Sequence, residues 1–186
     1  MKNGQDIIPI FFAIDDSYAP YLSTAVDSMI QNASPEHRYI AYIVTQGLRQ
    51  ENFERLAVLI RPHFEIRFAA MDRLPIASRS ENCLWLNRLT QTVYFRLFLA
   101  DMFPEYDKGI YLDSDVIVPG DISELYATKL DASHIIAACP DYTIQGIPAF
   151  AQYAEQAVGV ERNRYVNAGV LVMNMKMMRE IRFSKK

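Results

Sequence analysis

Cysteine is scarce in this chain. Only Cys83 and Cys139 occur among 186 residues, far apart and in neither a CxxC nor a metal-ligand spacing. That excludes a disulfide framework and suggests a reducing compartment, with a single bridge between the two left open. Long apolar runs are missing too: none approaches the length of a membrane span. Met1 to Asp6 is polar and has no apolar h-region behind a basic start, which argues against a signal peptide. Together these absences predict a cytoplasmic chain whose contact with a membrane would be peripheral, at its inner face. Charge of one sign is not in excess. The net charge is −3, so nothing points to nucleic acid as partner.

Several motifs are absent as well. No GxGxxG follows the first apolar run, which disfavours a dinucleotide fold of the usual kind. There is no Walker loop, and no GxSxG elbow of an α/β hydrolase. His37, His63 and His134 are scattered and read as surface or structural residues. No repeat, linker or low-complexity segment interrupts the chain.

What is present is an alternation of strand and helix signals in a chain that is 51% hydrophobic, enough for one sizeable core. Ile7 to Ile14 reads as a buried strand, broken by Asp15-Asp16-Ser17. Ser17 or Asp16 is placed to cap a helix carrying Tyr18, Tyr21, Leu22, Ala25, Val26, Met29 and Ile30. Strands are expected at 39–44 and 65–69, with a helix over 51–60 between them. The stretch 71–87 reads as loop with a short helix. A helix capped by Thr90 should run over 91–102 and bury Val93, Tyr94, Leu97, Phe98 and Ala100. Further on come a short helix at 122–126, a buried strand at 135–139, a helix over 148–158, a last strand at 168–175 and the start of a helix at 176–181. Alternation of this kind is the signature of an α/β fold with a mostly parallel, Rossmann-like sheet and helices on both faces. Residues 1–186 read as one domain.

The organising stretch is Ile110-Tyr111-Leu112-Asp113-Ser114-Asp115-Val116-Ile117-Val118. Its apolar flanks read as buried strand, a costly place for two anions unless they are paired or bound to a metal. In extended chain, residues i and i+2 point to one side, so Asp113 and Asp115 can converge on a divalent cation with oxygen ligands. The alternative is that the strand simply ends and both are solvated turn residues. Acids recur at such places: Asp15 and Asp16 follow the first strand, and Asp141 follows the strand at 135–139. In open parallel sheets, the carboxyl ends of the strands form the ligand crevice.

Four segments, in order, resemble glycosyltransferase family 8. Phe12-Ala13-Ile14-Asp15-Asp16-Ser17-Tyr18 is similar to the family's opening strand and acidic turn. Tyr94-Phe95-Arg96-Leu97 matches its Y-x-R-L helix, and Tyr111-Leu112-Asp113-Ser114-Asp115-Val116 its DxD motif. Tyr165-Val166-Asn167-Ala168-Gly169-Val170-Leu171-Val172-Met173-Asn174 resembles its FNAGVLLIN-type segment, although Asn167-Ala168-Gly169 also reads as a plain turn before a strand. The resemblance implies a GT-A fold and retaining transfer from a UDP-hexose to a glycan or lipopolysaccharide-core acceptor. It implies that Asp113 and Asp115 bind Mn²⁺ or Mg²⁺, that Asp15 and Ser17 lie by the uracil and ribose, and that Arg96 faces the diphosphate or donor sugar. Asp141 and Asn167 would contact the donor sugar, and Ala168-Gly169 would let the backbone approach it closely.

The family pattern goes on to a second acidic motif with a neighbouring Gln, and to a His in an HxxGxxKPW-type segment that is the third protein ligand to the metal. Neither is found in these residues. The expectation is therefore a C-terminally incomplete domain with two protein carboxylates on the metal and no catalytic residue assigned. An apolar edge at strand 168–175 predicts self-association. Two other readings stand beside transfer. One is a non-catalytic nucleotide-sugar-binding domain. The other is a phosphatase using Asp113-x-Asp115 as nucleophile and acid. That motif normally opens its chain, whereas here more than half the chain precedes it and no downstream Lys-plus-DD set follows.

Overall fold

The computed structural model describes residues 7–71 and 91–185. Six strands form one sheet: β1 (Ile7–Ala13), β2 (Arg38–Thr45), β3 (Phe64–Ala70), β4 (Gly109–Leu112), β5 (Ile136–Pro140) and β6 (Val166–Met173), in the order β3-β2-β1-β4-β6-β5. The β3-β2-β1-β4 part is parallel, as the βαβ alternation predicts. β6 runs antiparallel between β4 and β5.

Alternation along the strands feeds two cores. Ile8, Ile10, Phe12 and Ile14, with Tyr39, Ala41, Ile43, Ile110 and Leu112, pack under α1 (Ala19–Asn32), α2 (Gln50–Ala57) and α5 (Ile122–Tyr126). Phe11, Ile40, Tyr42, Val44, Tyr111, Leu171 and Met173 face α3 (Gln91–Phe95), α4 (Leu99–Met102) and α8 (Met175–Glu180). Burying each such large apolar side chain contributes about 1.5–3 kcal/mol. Phe11 lies over Gly109, where a β-carbon would come within 2.5 Å of the ring.

Several expectations are corrected. The cap after β1 is Asp15, not Asp16 or Ser17. Its carboxylate accepts from the Ser17 amide at 2.9 Å and starts one 3₁₀ turn, Asp16–Tyr18, ahead of α1. α2 stops at Ala57, short of Ile60, and leaves Val58 exposed. The expected helix 91–102 is two pieces, α3 and α4, joined by a turn at Arg96–Phe98. That break rotates the buried face: Phe95 and Leu99 are buried while Val93 and Tyr94 are exposed. Val116-Ile117-Val118 is not strand. Val118 N–H donates to Ser28 Oγ at 3.0 Å and its carbonyl accepts from Asn32 Nδ2 at 3.1 Å, so α1 takes over the hydrogen bonds a neighbour strand would make. β5 is a half-buried edge strand, because β6 covers only one of its sides. For the same reason β6 exposes no edge, which removes the basis for self-association through strand 168–175.

Past β5, Asp141 caps α6 (Tyr142–Gly146), a helix the sequence pattern does not announce. α7 (Pro148–Tyr153) follows and continues as a π-helical turn, Ala154–Val158. Gly159 ends it at φ 78°, a left-handed conformation that suits glycine. The expected Thr90 cap and nearly all of the 71–87 loop lie outside the described residues.

Candidate functional site

Strand order reverses between β1 and β4: the chain leaves β1 toward β2 and β3 on one side and returns as β4 on the other. Such a switch point opens a crevice at the carboxyl ends of the strands. A cleft of about 160 Å³ lies there. Its walls are Ala13 and Ile14 from the end of β1, Tyr18 from the following turn, Thr92, Val93 and Arg96 from the α3 region, and Tyr111, Asp113, Ser114 and Asp115 from β4 and its exit. Because β6 is antiparallel, its amino end, with Asn167, Ala168 and Gly169, lies at the same end of the sheet as the exits of β4 and β5.

Asp113 is tied to three of its neighbours. Its amide donates to the Gly169 carbonyl at 2.7 Å, one last rung beyond β4. Its Oδ1 accepts from the Tyr111 hydroxyl at 2.9 Å and from Arg96 Nη2 at 3.2 Å. Gly169 makes room for the carboxylate: a β-carbon there would lie 2.5 Å from Asp113 Oδ2. Arg96 is equally committed. Nε donates to the Val93 carbonyl at 2.8 Å, Nη1 to the Ala168 carbonyl, and the guanidinium sits 4.4 Å from the centre of the Tyr111 ring. Its side chain is 11% exposed, so the charge is largely withdrawn from water and held by this set. Burial pushes the Tyr111 phenol far up from its ordinary value, so it stays a donor to the carboxylate.

Asp115 differs. Strand geometry ends at Leu112, so Asp115 does not reach the cleft by i, i+2 alternation but from the turn that follows. It is exposed, and no hydrogen bond engages it among the described residues. Ser114, between the two acids, is buried. Two carboxylates on one wall are hard oxygen donors of the kind Mg²⁺ and Mn²⁺ accept. With Asp113 Oδ1 held by its donors and Asp115 unengaged, the pair fits such a cation as a two-ligand set. Among the described residues no third Asp, Glu, His or Cys completes a cluster.

The other predicted residues stand around this cleft without lining it. The Asp15 carboxylate holds the Ser17 amide and hydroxyl, which fixes the turn that carries Tyr18 to the cleft. Asp16 turns away. It accepts from the Arg49 amide at 2.7 Å and from Asn52 Nδ2 at 2.9 Å, and pairs with the Arg49 guanidinium. These contacts, the Arg49 amide first, hold its carboxyl below the usual range. Asp141 Oδ1 accepts from the Thr143 and Ile144 amides, and its own amide binds the Tyr165 carbonyl at the mouth of β6. Asn167 is exposed and closes a turn by accepting from the Gly169 amide at 2.8 Å.

The sequence carries Tyr111 in the apolar strand and at the head of the DxD segment, with no role of its own. The rule that pairs Asp113 with Asp115 applies more strictly one step back. Tyr111 and Asp113 are also i and i+2, and Tyr111 lies within the strand itself. Tyr18 closes the opening segment that resembles the family, whereas Thr92 carries no signal in the sequence.

Comparison with known proteins places the chain in a family. Residues 9–186 match the family described as glycosyl transferase family 8. A probable galacturonosyltransferase-like 2 from Arabidopsis thaliana is 27% identical over 192 residues, covering 96% of this chain and 55% of the relative. The lipopolysaccharide 1,2-glucosyltransferase of Escherichia coli is 22% identical over 95% of this chain and 50% of its own length. The crystal structure of the galactosyltransferase LgtC with donor and acceptor sugar analogues superposes with a TM-score of 0.73 at 28% identity, over 93% of this chain and 60% of LgtC. The bifunctional glycosyltransferase WbbM shares the fold, with a TM-score of 0.79 at 24% identity. The chain thus spans about half the length of the curated relatives it matches. It belongs to glycosyltransferase family 8 and has the GT-A type of α/β fold. That membership overturns the phosphatase reading of Asp113 and Asp115.

Proposed function

We propose that this family 8 chain takes a UDP-hexose together with Mn²⁺ or Mg²⁺ in the cleft between β1 and β4, and that the hexose passes, with retention, to a glycan acceptor of the lipopolysaccharide-core kind. The observation that carries the reading is the shared wall of Asp113 and Asp115 at the switch point, with the Arg96 guanidinium beside them. A bound divalent cation would supply charge neutralisation on the diphosphate leaving group. The chain's own residues supply placement. The turn fixed by Asp15 and Ser17 brings Tyr18 to the cleft and offers polar groups for a uracil and ribose. Arg96 presents a planar cation suited to phosphate or hydroxyl oxygens. Asp141, Asn167 and Ala168-Gly169 lie at the same end of the sheet, which supports assigning them to the hexose.

The names of the relatives support the substrate class: they are a galacturonosyltransferase-like protein, a lipopolysaccharide glucosyltransferase and a galactosyltransferase. An acceptor of the lipopolysaccharide-core type is carried on a membrane, so the chain would work in the cytoplasm and touch the inner face peripherally. Among the described residues no helix is long and apolar enough to cross a membrane. In this reading residues 1–186 act as one nucleotide-sugar-binding domain.

Thermal melting with a panel of nucleotides tests the proposal. UDP with Mn²⁺ should raise the melting temperature more than UDP in EDTA does, and GDP with Mn²⁺ should not. UDP release from a panel of UDP-hexoses then separates turnover from binding alone. A melting temperature indifferent to UDP and Mn²⁺ contradicts the reading.

A further inference from the structure

We propose that Tyr111 is a positioning residue for the metal and diphosphate site, holding the plane of the Asp113 carboxylate so that one oxygen stays free for the cation. The inference rests on the reading of Asp113 and Asp115 as metal ligands and deepens it.

Tyr111 is 1% exposed, and its ring is part of the core formed with α3, α4 and α8. A ring so packed has one orientation, and its hydroxyl has one place to go. That place is Asp113 Oδ1, two residues on along the same face of β4, at 2.9 Å. Arg96 Nη2 shares the same oxygen at 3.2 Å, and Arg96 is itself set by the ring beneath it, 4.4 Å away, and by the Val93 and Ala168 carbonyls. One carboxylate oxygen therefore receives two donors that cannot follow it if it rotates. Turning the carboxylate out of this plane would leave a buried phenol without an acceptor. Oδ2, on the Gly169 side, takes no hydrogen bond among the described residues and is left for a cation.

A purely structural role is the competing account: a core tyrosine whose hydroxyl has found a nearby acceptor. The two accounts differ in what the hydroxyl does for the metal. Partners that orient a metal ligand typically affect metal affinity by about 10- to 100-fold when removed. Packing alone would not touch that quantity.

The test is Tyr111→Phe, which keeps every ring carbon and the surface under Arg96 and removes one donor. Mn²⁺ is titrated into the native chain and the variant at saturating UDP, with free Mn²⁺ followed by electron paramagnetic resonance. UDP affinity in EDTA and the far-ultraviolet circular dichroism are measured alongside. A second variant, with p-fluorophenylalanine at 111, fills the hydroxyl's space without donating and guards against a loss of folding. The expected result is Mn²⁺ binding about tenfold weaker in both variants, with the fold and the metal-free UDP affinity unchanged. Native Mn²⁺ affinity in the folded variants overturns the positioning role while leaving the metal reading intact. A native chain that takes up no Mn²⁺ with UDP present overturns both.

Discussion

Gly169 and Asp113 are packed so closely that a β-carbon at 169 would lie 2.5 Å from Asp113 Oδ2 and 3.1 Å from Cγ. The same two residues are joined through the backbone, Asp113 N–H to the Gly169 carbonyl at 2.7 Å. The backbone bond holds the carboxylate in place and the missing side chain gives it space. Gly169→Ala should therefore displace the carboxylate from its donors on Tyr111 and Arg96. Overpacking of this kind costs about 1–3 kcal/mol. We expect a loss of that order in urea unfolding, together with Mn²⁺-dependent UDP binding at least tenfold weaker by calorimetry. A variant with native affinity would show that the position of Asp113 is not what the metal reads.

Arg96 reaches three acceptors at once: the Val93 carbonyl, the Ala168 carbonyl and Asp113. A lysine ammonium is a point charge and cannot span them. Arg96→Lys should keep the charge yet lose the link between α3, β4 and the start of β6. Leaving acceptors unpaired in this half-buried site costs about 1–2 kcal/mol of stability. UDP-hexose should bind more weakly in the variant even at saturating Mn²⁺. Denaturant unfolding and competition binding against UDP check the two halves separately, and full retention of both would contradict the spanning role.

Far from the cleft, Tyr39 and Asp121 give a pH signature. The Tyr39 hydroxyl donates to Asp121 Oδ1 at 2.7 Å, and the same oxygen accepts from the Ser123 amide at 2.9 Å at the start of α5. Burial raises the Asp121 carboxyl, but the Ser123 amide and the Tyr39 hydroxyl outweigh it, and the net direction is down. A lowered carboxylate stabilises the fold above its unfolded value, about pH 4, and loses that contribution as pH falls through the folded value. Asp121→Asn should cost about 1 kcal/mol at pH 7, and the difference from the native chain should shrink as pH falls below the ordinary carboxylate range. Tyr39, pushed up to about 12 by burial and then by Asp121, works at the other end. Its contribution holds below pH 10 and fades as pH rises toward 12. Tyr39→Phe should remove the alkaline loss. Urea unfolding across pH measures both limbs.

How much of this was legible in the sequence depends on what the pattern encodes. β1, β2 and α5 follow from apolar runs, a capping acid and a turn, and they appear where expected. Strand direction is not encoded in an apolar run, so 168–175 read as one more strand, with no sign that the strand, which runs Val166–Met173, inserts antiparallel beside β4. That insertion is also what brings Asn167 to Gly169 to the ligand end of the sheet and leaves Ile136–Pro140 at an edge. The split between α3 and α4 follows from tertiary demand: Arg96 turns its side chain to Ala168 and Asp113, and helical spacing says nothing of that. At the site, the two acids and Arg96 were visible as a motif, and all three line the cleft. The contacts that orient them were not visible, because a buried tyrosine in a strand looks like any other core residue. Only its partner two residues on distinguishes it.

Asp115 offers the most direct test. It is exposed on the wall of the cleft and makes no hydrogen bond among the described residues, so Asp115→Asn leaves the fold with nothing to lose. The measurement is calorimetric titration of UDP into the native chain and this variant, each with Mn²⁺ and with EDTA. The account predicts that Mn²⁺ strengthens UDP binding in the native chain, that the gain falls by at least tenfold in the variant, and that the EDTA titrations coincide. Equal Mn²⁺-dependent binding in both chains, or no effect of Mn²⁺ in either, would contradict it.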